Sequence, residues 1–101
     1  MSMNEQVRAV FDADRRLCFL RLLDESGGRA STSTLEKSVR IFFSRVDRAS
    51  TNADARWLAA AGLVECEELR PDLIAVSITD RGERVARGEE RVDGVARPSR
   101  D

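Results

Sequence analysis

The order of signals between residues 50 and 82 constrains the fold of this chain more than any other feature of its sequence. A helical pattern of apolar residues stops at Gly62, a residue type that tolerates the left-handed conformation found at helix ends. Two arms, residues 64–67 and 73–78, then alternate apolar and polar side chains with the two-residue period of a half-buried strand. Arg70-Pro71-Asp72 supplies turn residues between them. The stretch predicts a helix that leads into a β-hairpin.

Two helical patterns precede this stretch. Apolar residues recur at helical spacing as far as Leu23, and Ser26-Gly27-Gly28 then stops the first helix. Ser33 with Glu36 fits a capping box, in which each side chain bonds a free backbone amide at the start of a second helix. The predicted core-facing stripe of that helix is Leu35, Val39, Phe42, Phe43 and Val46.

The later helices also have candidate caps, which are Ser50, Thr51 or Asn52 for the third helix and Thr79 or Asp80 for the last. The four predicted helices cover residues 4–25, 33–46, 50–61 and 81–87. Their order predicts an α+β fold that is mostly α, a winged helix-turn-helix with three to four helices and a short two-stranded β-hairpin wing. Residues 1–88 form this domain, and residues 89–101 form a polar tail that is either mobile or docked on a partner subunit.

A winged helix-turn-helix presents its third helix to the DNA major groove. On a helical projection, Trp57, Leu58 and Ala61 face the core. The opposite side carries Asn52, Ala55, Arg56 and Ala59. The predicted DNA contacts are Arg45, Arg48, Ser50, Thr51, Asn52, Arg56 and Arg70.

Some of these residues have a second interpretation. Arg56 is the best candidate for a base or phosphate contact, but it can also pair with Asp54. Thr51 and Asn52 can cap the helix instead of contacting DNA. Arg70 lies at the wing tip among acidic residues that oppose phosphates, so we expect the wing to add little affinity.

Charge is unevenly distributed along the chain. The net charge is −1 and the isoelectric point is near 5.5, so there is no overall basic excess of the kind that phosphate binding favours. Arginines collect in and beside the predicted helix-turn-helix, at Arg40, Arg45, Arg48 and Arg56. Acidic residues collect in the hairpin, at Glu65, Glu67, Glu68 and Asp72. One such domain would bind DNA weakly, so we expect a homodimer.

The residue types present exclude several kinds of metal site and active site. The chain has no histidine and its two cysteines, Cys18 and Cys66, form no CxxC pair, so it cannot supply the roughly four ligands of a structural zinc site. We expect buried, reduced thiols; a redox or metal-sensing pair would require the two sulfurs to lie close together. No nucleophile–base arrangement or phosphate-binding loop is present. The prediction is a protein that is not an enzyme, with no cofactor, no metal and no small-molecule ligand.

No apolar run approaches the ~18 residues that span a bilayer. The first residues contain no basic segment followed by an apolar one, so we expect no secretory signal and no membrane association. The expected location is the cytoplasm.

A family resemblance rests on short segments spread along the chain. These are Asp14-Arg15-Arg16-Leu17, Leu20-Arg21-Leu22-Leu23, Trp57-Leu58-Ala59, Gly62-Leu63-Val64, Thr79-Asp80-Arg81-Gly82 and Asp93-Gly94-Val95-Ala96-Arg97-Pro98-Ser99. Together they resemble a family of short proteins of Mu-like phages and prophages, which look like ArsR- or MarR-type winged helices. The resemblance implies a phage or prophage origin, hence a bacterial host, and a winged-helix fold. It carries over no catalytic residue, and the chain lacks the metal ligands and the basic wing of typical sensor repressors.

Two functions follow as hypotheses. The first is a DNA-binding transcriptional regulator that contacts double-stranded DNA as a homodimer, with the first helix and the tail as dimer surfaces. The second is a protein-interaction module in phage assembly or host takeover that does not bind DNA, which the net negative charge and the acidic wing favour.

Overall fold

The computed structural model describes residues 2–99 of the chain. Four helices and three strands follow one another in the order α1 (Met3–Glu25), β1 (Arg29–Ser31), α2 (Thr32–Val39), α3 (Arg48–Ala60), β2 (Val64–Arg70), β3 (Leu73–Ile78) and α4 (Asp80–Ala86). The predicted mostly helical α+β architecture is confirmed at this level. No helix among these residues is both long and apolar enough to cross a membrane.

The first helix is continuous and only half of it is packed. The Ser2 hydroxyl accepts a hydrogen bond from the Glu5 amide (3.2 Å) and the Glu5 carboxylate accepts one from the Ser2 amide (3.3 Å), which caps α1 at its start. The end comes where the Gly28 amide donates to the Leu23 carbonyl (2.8 Å), with Gly28 at a φ of 88°. Only the second half of α1 supplies core residues: Leu17, Phe19, Leu20 and Leu23.

The sheet has three strands, so the prediction of a two-stranded hairpin is wrong in strand number. The hairpin itself is confirmed, since β2 and β3 pair antiparallel with Cys66 opposite Val76. β1 adds to the other edge of β3, with Ala30 opposite Val76, which gives the order β1–β3–β2. A strand of three residues is too short to show alternation, and only its pairing with β3 reveals it.

The second helix is shorter than predicted and begins earlier. Its N-cap is Ser31, whose hydroxyl accepts from the Thr34 amide (3.3 Å), so the predicted capping box at Ser33 is wrong. It ends at Val39 instead of near residue 46, because the next amides bond back into tight turns. Phe42, predicted in the core stripe, lies 66% exposed in the following loop. The loop is closed by the Arg40 Nε, which donates to the Val46 carbonyl (3.1 Å).

The third helix begins two residues before the predicted start. Asp47 is its N-cap, and its carboxylate accepts from the Ser50 amide (2.8 Å) while the Ser50 hydroxyl accepts from the Asp47 amide (3.1 Å). The backbone and hydroxyl of Ser50 hold the pKa of Asp47 below its usual range. Gly62 ends the helix region at a φ of 79°, as predicted.

The described part of the tail, residues 89–99, lies on its own chain. Val95 is buried, and the Ala96 amide donates to the Ala13 carbonyl of α1 (3.1 Å). Gly94 sits against Trp57 at a φ of 93°, where an added Cβ would lie 2.6 Å from the ring atom Cζ2. Residues 100 and 101 fall outside the described residues.

Gly94→Ala is expected to loosen this docking. The added methyl group must move the Trp57 ring, and the left-handed backbone costs an L-residue about 1–2 kcal/mol. The Ala96 amide should therefore exchange with deuterium roughly 10-fold faster or more than in the unsubstituted chain. Gly88→Ala is the control, since that glycine has a φ of 79° but an added Cβ would be 3.4 Å from Pro98, an ordinary contact. Unchanged exchange at Ala96 in the Gly94 variant would contradict the expectation.

Candidate nucleic-acid interface

The free side of α3 is a stripe of small residues with one arginine. Its exposed positions, at helical spacing, are Ala49, Ala53, Arg56 and Ala60. The buried positions are Thr51, Asp54, Ala55 and Leu58. The predicted orientation was right for Leu58 and Arg56 and wrong for Ala55, which packs fully inside. α3 is rotated about its own axis relative to the predicted orientation, because the polar side chains of Thr51 and Asp54 have hydrogen-bond partners in the interior.

Those interior partners explain two of the predicted site residues. Thr51 is 2% exposed and its hydroxyl donates to the Asp47 carbonyl (2.8 Å), so it is directed into the body and not toward a partner. Ser50 is half-buried and belongs to the cap with Asp47. Both residues stabilise the start of α3, and neither presents a free hydroxyl group on the exposed stripe.

The hairpin tip is held against α3 by one carbonyl group. The Asp72 carbonyl accepts from Arg48 Nη1 (3.1 Å) and from Asn52 Nδ2 (3.2 Å). Asp72 has a φ of 65°, a left-handed conformation that aspartate tolerates better than most residues. Two predicted DNA contacts, Arg48 and Asn52, thus position the wing relative to α3.

Glu36 joins α2 to the start of α3. Its carboxylate accepts from Arg48 Nε (2.9 Å) through one oxygen and pairs with Arg40 through the other. The Arg48 guanidinium is therefore neutralised on one edge and oriented by α2. This carboxylate fixes the angle between the two helices, because Arg40 and Arg48 lie on opposite sides of the connecting loop.

The other three predicted arginines are exposed and unneutralised. Among residues 2–99, no carboxylate oxygen lies within 4.0 Å of a guanidinium nitrogen of Arg45, Arg56 or Arg70. The alternative that Arg56 pairs with Asp54 is wrong, because Arg15 of α1 binds that carboxylate. Arg56 instead lies near Cys66 of β2, where its charge partly offsets the effect of burial, which raises the pKa of the Cys66 thiol.

A cluster that the sequence reasoning missed holds α1, α3 and the tail together. Arg15 donates to the buried Asp54 through Nε (2.5 Å) and Nη2 (2.9 Å). The Arg16 guanidinium stacks over Trp57 at 4.0 Å from the ring centroid and donates to the Gly94 carbonyl (3.1 Å). The only available signal was that Arg15, Arg16, Trp57 and Gly94 lie in segments that carry the family resemblance; Asp54 lies outside them.

The hairpin surface beside α3 is acidic. Glu65, Glu67 and Glu68 are exposed on β2, an edge strand, and only Glu67 pairs with a described arginine, Arg29 (3.2 Å). Charges on an edge strand oppose pairing with another sheet. They would also repel phosphates, and the small contribution of the hairpin to DNA affinity stays a prediction.

The two cysteines are free thiols on different elements. Cys18 is half-buried on α1, where burial raises its pKa, and Cys66 is exposed on β2, so the expectation that both are buried is wrong for Cys66. Within the part of the chain that the structure describes, no group of three or more cysteine, aspartate or glutamate side chains could hold a metal ion.

The fold and this surface define a compact α+β protein with a free helix face and a rigidly attached hairpin. The chain is 36% identical to the uncharacterized protein gp26 of Escherichia phage Mu over 92 residues, 91% of this chain and 95% of that protein. It is 31% identical to an uncharacterized protein of Haemophilus influenzae over 68 residues, 67% of each chain. No protein-family model matches. The chain belongs to the family of Mu phage gp26, which confirms the predicted link to Mu-like phages.

Proposed function

We propose that this protein is a DNA-binding transcriptional regulator of a Mu-like phage or prophage, acting as a homodimer through a winged helix-turn-helix. The exposed side of α3 would enter the major groove of double-stranded DNA. The observation that carries the proposal is the composition of that side. Alanines at three of its four positions permit close approach, and Arg56 lies among them with no carboxylate within 4.0 Å in residues 2–99.

The order of elements supports this proposal. The chain runs from a helix through a short strand to two helices joined by a loop, and then to a hairpin whose second arm pairs with the first strand. A winged helix would have its elements in this order. In that arrangement α3 is the recognition helix. Arg45, exposed in the loop before α3, is suited to a phosphate contact. Arg70, exposed at the end of β2, would add less, because the acidic residues of that strand oppose phosphates.

The interactions around α3 would also preorganise the site. Glu36 fixes α2 against α3, and the Asp72 carbonyl fixes the hairpin tip against the same helix. A rigid recognition surface loses less conformational entropy when it binds. Arg48 donates through Nε to Glu36 and through Nη1 to the Asp72 carbonyl. Its role in the proposal is therefore to hold in place the surface that faces the phosphates, more than to contact bases.

The small number of free cations explains why a dimer is part of the proposal. The net charge is −1, and within residues 2–99 the predicted DNA contacts include three arginines that no carboxylate neutralises, so one copy has few phosphate contacts to offer. Two copies related by a twofold axis double that number and place paired helices about one turn of DNA apart, roughly 34 Å.

Arg56→Ala is the sharpest test. Loss of a guanidinium that contacts a base or phosphate costs about 1–3 kcal/mol, so the variant should bind DNA from its own phage locus at least ~10-fold more weakly. Fluorescence anisotropy at low salt measures this. Arg45→Ala should lower affinity on all sequences and reduce the salt dependence by about one unit of slope.

The matched control is Arg91→Ala. Arg91 is also exposed, with no carboxylate within 4.0 Å among the described residues, but it lies in the tail segment. Its removal changes the net charge equally and should leave affinity within about 2-fold. The proposal fails if the unsubstituted protein binds DNA no better than an acidic control protein, or if the Arg56 and Arg91 variants lose affinity equally.

A second candidate function is a protein-interaction module in phage assembly or host takeover. The exposed glutamates of β2 and the exposed apolar residues of α1 favour it. It predicts that affinity purification from infected cells recovers one protein partner and that nuclease treatment leaves the association intact. Loss of the partner after nuclease treatment would mean that nucleic acid holds the association together, and it would favour DNA binding instead.

A further inference from the structure

The first half of α1 projects beyond the core and is apolar on one side. Met3, Val7, Val10 and Phe11 follow one another at helical spacing and are all exposed, Val10 by 61% and Phe11 by 58%. Nothing else in residues 2–99 covers this side, because all of residues 2–10 are exposed. Four large apolar side chains on one exposed face are a costly arrangement for an isolated chain.

The same side of α1 continues into an open groove with a volume of about 460 Å³. Its apolar lining consists of Leu17, Cys18 and Leu22 of α1 and of Phe42 and Phe43 in the loop after α2. It is also lined by polar and charged residues: Asp14, Arg21 and Glu25 of α1 and Arg97 and Ser99 of the tail. On a helical projection of 100° per residue, the groove-lining positions of α1 fall on the side that carries Val7 and Phe11. One helix thus carries both an apolar protrusion and one wall of the groove on a single face.

We propose that the occupant of this groove is the first half of α1 from a second copy of this chain. A twofold axis perpendicular to α1, near Leu17 and Cys18, makes the two helices antiparallel. Val10 and Phe11 of each copy then lie over the end of the other copy's groove, near Leu22 and Glu25, while Met3 and Val7 extend past the end of its α1. An interface of this kind is isologous, and it requires a surface that is complementary to itself, as this one is.

The charges on this face agree with the antiparallel arrangement. Asp14 is exposed and has no basic nitrogen within 4.0 Å among the described residues. Arg21 lies seven residues after Asp14 on the same side of α1. Its Nη2 is 3.8 Å from Oε1 of Glu25, a long distance for an ion pair. An axis midway between Asp14 and Arg21 brings each copy's Asp14 opposite the other copy's Arg21. The protruding residues 3, 7, 10 and 11 place no charge in the groove.

The area is sufficient for a stable dimer. One half of the surface of a helix about 33 Å long and about 10 Å wide amounts to roughly 500 Å². Phe42 and Phe43, in the loop after α2, add to this area, which then approaches the ~800 Å² per partner of a standard interface.

The interface deepens the proposed function, since it rests on the homodimer and names the surface that forms it. It leaves the free side of α3 uncovered, because α1 and the loop of Phe42 carry all of its contacts. Its tests contain no DNA. A dimer that does not bind DNA would overturn DNA binding and leave this interface standing. A monomer that binds DNA would overturn this interface and the homodimer and leave DNA binding standing.

The first test is the solution mass of the full chain and of Phe11→Asp. Sedimentation of the unsubstituted protein should give twice the chain mass of 11.3 kDa, and the variant should dissociate at least ~10-fold more readily. Ala9→Asp is the matched control, because Ala9 is exposed on the opposite side of the same helical segment. A monomer at ~100 μM, or equal dissociation of the two variants, overturns the interface.

The second test is charge reversal. Asp14→Arg places two like charges together and should weaken the dimer, and adding Arg21→Asp in the same chain should restore it to within about 3-fold. Restoration is specific to residues that face each other, since misfolding would not be repaired by a second substitution. Failure of the double variant to recover the dimer, with an unchanged circular dichroism spectrum, overturns the proposed register.

The third test uses the thiol beside the proposed axis. In a Cys66→Ser background, a short bismaleimide should join Cys18 of one copy to Cys18 of the other and give a band of twice the chain mass. Phe11→Asp should abolish the band. A cross-linked band of equal yield in the Phe11 variant, or none in the parent, counts against the interface.

Discussion

Replacing Arg15 with methionine is expected to lower the free energy of unfolding by about 3–5 kcal/mol. Asp54 is 4% exposed, and Arg15 supplies both of its close hydrogen bonds, at 2.5 and 2.9 Å. Without Arg15 the carboxylate stays buried with no close partner, since the nearest nitrogen of Arg16 is 3.9 Å away. Methionine keeps the apolar stem, so the loss reports the missing charge. Urea denaturation followed by circular dichroism measures it.

The pair of Arg21 and Glu25 provides the control for that prediction. Both side chains are more than half exposed and their charged atoms are 3.8 Å apart. Arg21→Met, measured at a concentration where the protein is monomeric, should change the free energy of unfolding by no more than ~0.5 kcal/mol. A loss below ~1 kcal/mol for the Arg15 variant would mean that water or Arg16 compensates Asp54, contrary to the structure.

Gly82→Ala is expected to destabilise the fold by about 2–3 kcal/mol. Gly82 is buried in α4, and an added Cβ would collide with the Leu63 carbonyl and lie 2.7 Å from Cγ1 of Ile78. The carbonyl belongs to the backbone, so relief requires α4 to move away from the sheet. Thermal unfolding should shift downward by roughly 8–20 °C in a chain of this size.

Gly27→Ala separates contact from backbone strain. Gly27 has a φ of 96° and nothing within 4 Å of an added Cβ, so the variant carries only the strain of about 1–2 kcal/mol. Gly82, in a helical conformation, carries only the contact. If Gly82→Ala unfolds at the same temperature as the unsubstituted chain, the close packing of α4 on the Leu63 carbonyl is wrong.

Several signals that act over a few residues were interpreted correctly, although the predicted caps of α3 were wrong, since Asp47 caps it. Thr79 caps α4, and its hydroxyl accepts from the Gly82 amide (3.0 Å). Gly62 ends the third helix region, and the hairpin pairs where alternation predicted it. A cap, a stop and a turn are each satisfied by hydrogen bonds between neighbours in sequence, so the sequence contains the whole interaction.

Errors occurred where a local pattern competed with distant partners. The apolar spacing through Phe42 resembled a continued helix, but Arg40 bonds the Val46 carbonyl and the chain turns. Ser33 fitted a capping box, but Ser31 lies at the end of a strand that pairs with β3 and so caps the helix. In both places the deciding contact joins elements that only the folded chain brings together.

The candidate interface could be predicted only in part, because some of its residues bind partners that are distant in the sequence. Arg45, Arg56 and Arg70 are exposed and unneutralised among the described residues, as a surface role requires. Arg48 and Asn52, assigned to DNA, also bind the Asp72 carbonyl, 24 and 20 residues away. No spacing rule could have revealed that shared acceptor.

The segments that carry the family resemblance meet in space. Arg15 and Arg16 contact Asp54 and Trp57, and Trp57 contacts Gly94 of the tail. The Thr79 hydroxyl donates to the Gly62 carbonyl (2.8 Å). These contacts hold the fold together, which explains how a resemblance can cover nearly the whole chain without identifying a function.

The sequence by itself determined the kinds and order of most elements, because helix caps, glycine stops and strand alternation depend on residues within a turn of each other. The tertiary structure alone decided the third strand, the orientation of α3, and the docking of the tail on Trp57. Those features depend on pairs such as Arg15 with Asp54, which lie 39 residues apart and meet only when burial forces a charged group to find its partner.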